Sequence, residues 1–291
     1  MGQDKKAHTV SVCYLKNFAY DKQLHCYSKI RREHYSSPVE AVCQSQYFYL
    51  IKEKSWWKQM ELEKDFLANN VEQGLSRMIK TFEDSVNKII IDDSFIQPLK
   101  FDEGTRRSIA SQIFIQYYRT PRFRKQVEGK TLIRKGISVE THKYKEEKVT
   151  DEVLVHALSK FCNKPLHEKT VEYLTNNQWI VRYSKKDVFL TSDNPVVWIS
   201  MKDEYPNINN IGDIGEDCGF LFYPITPHIV LEIFDKRMKS LSPDFDNILI
   251  KSDSEQEAIF NYMTIQNAED TVILRDKNIN AYSIDVKLEI I

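Results

Sequence analysis

The stretch that most constrains this chain is Val188-Phe189-Leu190-Thr191-Ser192-Asp193-Asn194-Pro195-Val196-Val197. Its three leading apolar residues predict a buried strand over 188–190, and four hydrogen-bonding side chains follow in a row. Pro195 fixes its own φ and pushes Asn194 into an extended conformation. The Asp193 carboxylate is therefore expected on a rigid turn at a strand end, where a scaffold can hold a group while the end opens onto a cleft. The plainer alternative is that Asp193 and Asn194 only close an Asx-type turn.

The rest of the chain divides around a helical middle. Residues 59–90 place Leu62, Phe66, Val71, Leu75, Met78, Ile79, Phe82 and Val86 at three-and-four spacing, and the acids Glu61, Glu63, Asp65 and Glu72 crowd the first half. A second helix is expected from Asp102-Glu103-Gly104-Thr105 to Thr120, where Pro121 disfavours its continuation. Thr150-Asp151-Glu152 begins a third, Pro165 a fourth, and Ser252-Asp253-Ser254-Glu255 a last one near the C-terminal end. Strand patterns lie at 23–28, 179–183, 188–190, 196–199, 220–223, 229–234 and 271–274. Polar stretches at 126–148 and 202–216 read as loops, the first with room for a short hairpin. This distribution predicts an α+β fold, a helical middle segment packed with a mostly antiparallel sheet built from N-terminal and C-terminal strands. No linker interrupts it, so residues 1–291 are expected to form a single domain.

Composition removes several classes of function. Only eight of 291 residues are Gly, and neither GxGxxG nor GxxxxGK[ST] occurs, so a Gly-rich nucleotide loop is not expected. The formal net charge is −1, so any nucleic-acid contact must come from a local patch. The five cysteines are widely spaced without a CxxC, which suits a reducing cytosol better than a disulfide scaffold or zinc knuckle. The first residues are not followed by an apolar run, and no apolar run approaches a membrane span, so a soluble cytoplasmic protein is expected.

Three further places carry chemistry. In Gln116-Tyr117-Tyr118-Arg119-Thr120-Pro121, Gln116 and Arg119 share a helix face. Arg119 can complement the helix end or hold a phosphate in fork geometry. Arg106, Arg107, Arg122, Arg124 and Lys125, interleaved with Tyr117, Tyr118 and Phe123, make the mixture on which bases stack beside a basic groove. They also read simply as a solvated basic helix end. His8 is ordinarily a satisfied structural residue, and Glu72 ordinarily an acid at the edge of an apolar stripe.

Taken together, these motifs resemble a known bacterial family, domain of unknown function 4238. His8-Thr9-Val10 followed by Tyr14-Leu15-Lys16-Asn17-Phe18 is similar to its His-x-Val-Pro and Tyr-Leu-x-x-Phe signature, with Ser11 standing where the family has Pro. Gln116-Tyr117-Tyr118-Arg119-Thr120-Pro121 resembles its Gln-x-x-Arg-Thr-Pro, and Thr191-Ser192-Asp193-Asn194-Pro195 its Thr-Ser-Asp-Asn-Pro. Trp179, Tyr223-Pro224-Ile225-Thr226-Pro227, Gln266-Asn267-Ala268, Glu63 and Glu72 fit further landmarks. The resemblance implies that His8, Gln116, Arg119, Asp193 and Asn194 meet in one place, but no settled activity.

Three functions follow as expectations. In the first, the chain is a nuclease or other phosphodiester hydrolase, a toxic effector of bacterial antiphage defence. There His8 is the general acid or base, and Arg119 and Gln116 hold the phosphoryl oxygens. Asp193 orients His8 or binds Mg²⁺ or Mn²⁺, with Glu72 a second carboxylate. In the second, Glu72, Thr191, Ser192 and Asn194 join the same cluster as a non-catalytic pocket for a nucleotide, nucleic acid or protein. In the third, the motifs are a buried polar network joining the helical and β parts.

Overall fold

The structure is a computed structural model that describes residues 6–51, 62, 67, 71–89, 96–137, 144–202, 205–207, 212–238, 242 and 244–274. In chain order the elements are β1 (Lys6–His8), α1 (Val12–Leu15), β2 (Gln23–Ser28), β3 (Glu33–Pro38), β4 (Gln44–Gln46), α2 (Gln73–Ile89), β5 (Ile96–Pro98), α3 (Glu103–Tyr118), α4 (Pro121–Val127), β6 (Leu132–Ile137), β7 (Tyr144–Val149), α5 (Glu152–Ser159) and α6 (Lys164–Asn176). Then come β8 (Gln178–Tyr183), β9 (Thr191–Ser192), β10 (Val197–Lys202), β11 (Tyr205–Asn207), β12 (Gly219–Thr226), β13 (Ile229–Phe234), β14 (Ile248–Lys251), α7 (Ser254–Asn267) and β15 (Thr271–Leu274). Glu61, Glu63 and Asp65 lie outside the described residues, as does most of the first half of the long helix expected over 59–90.

The fold is α+β, with the strands shared among separate sheets. A seven-stranded sheet runs β11-β10-β12-β13-β8-β14-β5, antiparallel except where β14 pairs with β8. A four-stranded sheet, β3-β2-β15-β9, is where the two ends of the chain meet: β15 lies between N-terminal β2 and β9. The pairs β1-β4 and β6-β7 stand apart, and the second forms in the stretch expected to be a loop with a hairpin. Gly219 allows the close approach of β12 to β10, since a Cβ there would sit 2.2 Å from the Ile199 carbonyl oxygen, which no rotamer change relieves.

Helix α3 is the centre. Asp102 caps it by accepting from the Thr105 N–H at 2.7 Å. From Ile109 on, nearly every side chain is buried, with α2 on one flank and α6 on the other. One apolar core reaches from Ala7 and Tyr14 through Phe114 and Tyr118 to Tyr223 and Ile273. Helix α7, capped by Asp253, packs Phe260 against Phe189 and Phe222 on the large sheet.

The strand expected at 188–190 is not one. The Val188 and Phe189 N–H groups both bond the Pro227 carbonyl, and the Asn261 side chain accepts from Leu190 N and donates to Val188 O. Main chain served this way needs no ladder partner. The ladder begins one step later, at the polar Thr191 and Ser192, which are fully buried beside β15.

The junction after α3 is anchored from α5. Arg124 Nε donates to His156 Nδ1 at 3.1 Å, so Nε2 carries the ring proton and donates it to the Tyr118 carbonyl at 2.8 Å. Burial and the neighbouring Arg124 cation push the His156 pKa down to about 3. An unfolded His titrates near 6.5, so below that pH the unfolded chain binds a proton that the folded chain refuses. Stability is thus lost as pH falls from about 6.5 toward 3. We expect His156→Gln to flatten the pH dependence of the unfolding free energy from urea titration by about 2 kcal/mol between roughly pH 7 and pH 5. An unchanged slope would remove His156 as the cause.

Candidate functional site

The chain leaves β1 at His8 and enters α1 at Val12, so the carbonyls between them have no ladder to join. Thr9 binds backward, its N–H and hydroxyl both donating to the Cys43 carbonyl at 2.9 and 3.0 Å. Forward, the end of α3 supplies the donors. Arg119, the C-cap residue, donates from Nε to the Thr9 carbonyl and from Nη2 to the His8 carbonyl, both at 2.9 Å. Gln116 Nε2 reaches the same Thr9 oxygen at 3.2 Å. Arg119 is 2% exposed, so its positive charge is spent on main-chain oxygens rather than offered to a phosphate.

The third motif is held as tightly. Tyr14 donates its hydroxyl proton to the Pro224 carbonyl at 2.6 Å, so the Thr191 hydroxyl, 2.7 Å away, must donate to the Tyr14 oxygen. Asp193 accepts three main-chain N–H groups, from Glu269, Asp270 and Thr271, at 2.8–2.9 Å, and closes the turn between α7 and β15. Burial pushes its pKa above the ordinary carboxylate value, against the pull of those three donors. The Ser192 hydroxyl accepts from the Asn194 N–H at 3.1 Å.

The His8 ring departs in its own direction. It is half-buried, and Nε2 bonds the Glu40 carbonyl at 2.9 Å, which leaves Nδ1 as the ring's acceptor. Glu72 stands elsewhere again, accepting the Ser11 hydroxyl at 2.5 Å. That contact accounts for Ser11: its φ of −62° is one Pro also adopts, and the hydroxyl adds a bond that Pro lacks. Asp193 and Glu72 thus have separate partners, and among the described residues no three His, Cys, Asp or Glu side chains gather to hold a metal ion. Nor does any helix among the described residues have the length and apolarity to cross a membrane.

Among the described residues, several buried side chains keep unspent hydrogen-bonding groups, and some of these line one hollow. This small hollow, with room for about one water molecule, lies between the α3–α4 junction and residues 194–196, lined by Gln116, Tyr117, Arg122, Phe123 and Asn194 among others. Gln116 Oε1 and Asn194 Oδ1 are buried there without a hydrogen-bond partner. Asn194 is otherwise locked to Asn267: each side-chain amide donates to the other's main-chain carbonyl, at 3.3 and 2.8 Å. Arg122 Nη1 donates to Asn267 Oδ1 at 2.5 Å, while Arg122 Nε lacks a hydrogen bond and stands 3.7 Å from Glu269 Oε1.

A family model described as a protein of unknown function, DUF4238, matches residues 6–278. The chain belongs to the DUF4238 family. No curated protein and no solved structure matches it. The motifs that resemble the DUF4238 signature divide by position. Gln116, Arg119 and the main chain of His8 meet through the Thr9 and His8 carbonyls, and Gln116 and Asn194 share the hollow. The His8 ring and Glu72 take other partners. Sequence reasoning missed Asn267, although it lies in a landmark tripeptide, and treated Arg122 only as part of a basic helix end.

Arg119→Ala would take the guanidinium donor from the part-buried His8 carbonyl, leave the buried Thr9 carbonyl only its Gln116 bond, and open a void at the end of the central helix. The expected loss is roughly 3–5 kcal/mol in denaturant unfolding. Arg119→Lys should recover only part, because one ammonium lacks the fork that serves both oxygens. A wild-type midpoint for Arg119→Ala would remove Arg119 as the lock of the site.

Proposed function

We propose that the chain is a non-catalytic recognition module that takes a nucleotide or single-stranded nucleic acid base-first at the hollow. One observation carries this reading: two motifs far apart in the chain each bring to the lining of the same hollow a residue whose buried amide oxygen is unpaired. Buried polar atoms without partners are uncommon and call for a cause, and an absent ligand is one. Tyr117 and Phe123, their rings 4.8 Å apart, bring aromatic surface to it, and Arg122 brings a cation. Arg119, Asp193, Thr191 and Tyr14 make the hydrogen-bonded frame around it. As it stands the hollow has room for about one water molecule, so a base would meet its rim and displace that water.

The second reading is phosphodiester hydrolysis in a cytoplasmic effector of bacterial defence, with Asp193 or Glu72 binding Mg²⁺ or Mn²⁺. It is favoured by the half-buried His8 ring, which is held through Nε2 and keeps Nδ1 to accept a proton.

Calorimetric titration with mononucleotides and short single-stranded RNA, beside a cleavage assay with and without Mg²⁺ or Mn²⁺, separates the two. We expect saturable binding without cleavage, weakened at least about ten-fold in Val196→Phe, which fills the hollow, with folding checked by its unfolding midpoint. Metal-dependent cleavage lost in His8→Ala would establish the second reading instead. If no nucleotide or RNA binds, the amides are satisfied by water and the recognition reading is wrong.

A further inference from the structure

Resting on the recognition reading above, we infer that the β6–β7 ribbon is the surface along which the phosphate backbone of a nucleic-acid strand lies. The ribbon begins one short helix away from the hollow. Arg122 and Phe123, which line the hollow, sit in the first turn of α4, and that helix ends at Val127. The chain then turns through Gly129 at φ +69°, a conformation that L side chains rarely adopt, and the Lys130 N–H donates to the Val127 carbonyl at 3.0 Å. Leu132 and Val149, the first register pair, form the root, where Val149 is buried with Val127, Leu154 and Val155. From there the register runs to Ile137 and Tyr144, about 20 Å at an ordinary strand rise.

Among the described residues the ribbon pairs with no third strand. A two-stranded ribbon alone is marginally stable in water, so a partner laid along it adds what a third strand would. Charge says which partner. Residues 130–149 hold six basic and three acidic residues, net +3, in a chain whose formal net charge is −1. The register sorts these charges. Arg134 stands opposite Glu147 and Lys135 opposite Glu146, so the acids of the paired strands are matched within the ribbon. Lys145 stands opposite Gly136, and Lys148 opposite Ile133. The charges left without an opposite partner in the paired strands are therefore both basic, and Lys130 and Lys148 are exposed at the root. A polyanion fits this local excess, which a near-neutral chain otherwise lacks. Phosphate contacts of this kind position a strand without reading its sequence.

RNA and DNA share this backbone. The test is fluorescence anisotropy of short labelled single-stranded RNA and DNA of one sequence, titrated with the full chain at several salt concentrations between about 50 and 200 mM. The variant Lys130→Gln/Lys145→Gln/Lys148→Gln removes the unmatched charges. A control, Lys80→Gln/Lys100→Gln/Lys251→Gln, removes as many exposed lysines from other elements. Unfolding midpoints check that both variants fold. We expect the ribbon variant to bind at least about ten-fold more weakly. Its slope of log affinity against log salt should be shallower by about 2, since each phosphate contact on a single strand contributes about 0.7. The control should match the wild type, and the ratio of RNA to DNA affinity names the source. Wild-type affinity and slope in the ribbon variant, or an equal loss in the control, would overturn the ribbon assignment while leaving the recognition reading standing. If the ribbon variant loses binding and Val196→Phe does not, the ribbon assignment holds and the hollow is not the recognition site. No binding of any strand or mononucleotide would overturn both.

Discussion

The structure depends on the guanidinium of Arg119 at the end of α3. A chain passing from a strand into a short helix leaves carbonyls that neither element can use, and buried carbonyls must be paired. Arg119 and Gln116 supply the donors for His8 and Thr9 from a helix buried on almost every face. Because α3 also packs against α2 and α6, a local bond becomes the register between the N-terminal segment and the whole helical middle.

The same logic repeats at the other end of the chain with opposite charge. Asp193 gathers three N–H groups from the turn between α7 and β15, and Lys29 bonds the carbonyls of Ile265 and Ala268 at the end of α7. The Arg119 guanidinium and the Asp193 carboxylate both make their hydrogen bonds with main-chain groups. The catalytic expectations for Arg119 and Asp193 rested on side-chain type, on motif placement and on the family resemblance. The distances turn both inward, toward main chain.

Much of the fold was legible because local rules and tertiary context agreed. Asp102, Asp151 and Asp253 cap the helices that their positions announced, and β13 and β15 fall on their apolar runs. Short elements were illegible. Neither β14 nor β5 was anticipated, since a few residues of strand owe their form to the neighbours they pair with. The stretch at 188–190 misled for a related reason: its apolar side chains are buried as a strand's would be, but Asn261 and Pro227 take its main chain.

By itself the sequence determined the α+β class and the helix starts, because capping and periodicity are properties of residues near one another in the chain. Only the tertiary structure decided what each motif residue does. Hydrogen-bond donors and acceptors are spent on whichever partners the fold brings within 3 Å or so. The partners of Arg119 and Gln116 come from residues 8 and 9, and those of Asp193 from residues 269–271. Which groups remained unspent was settled by that distribution.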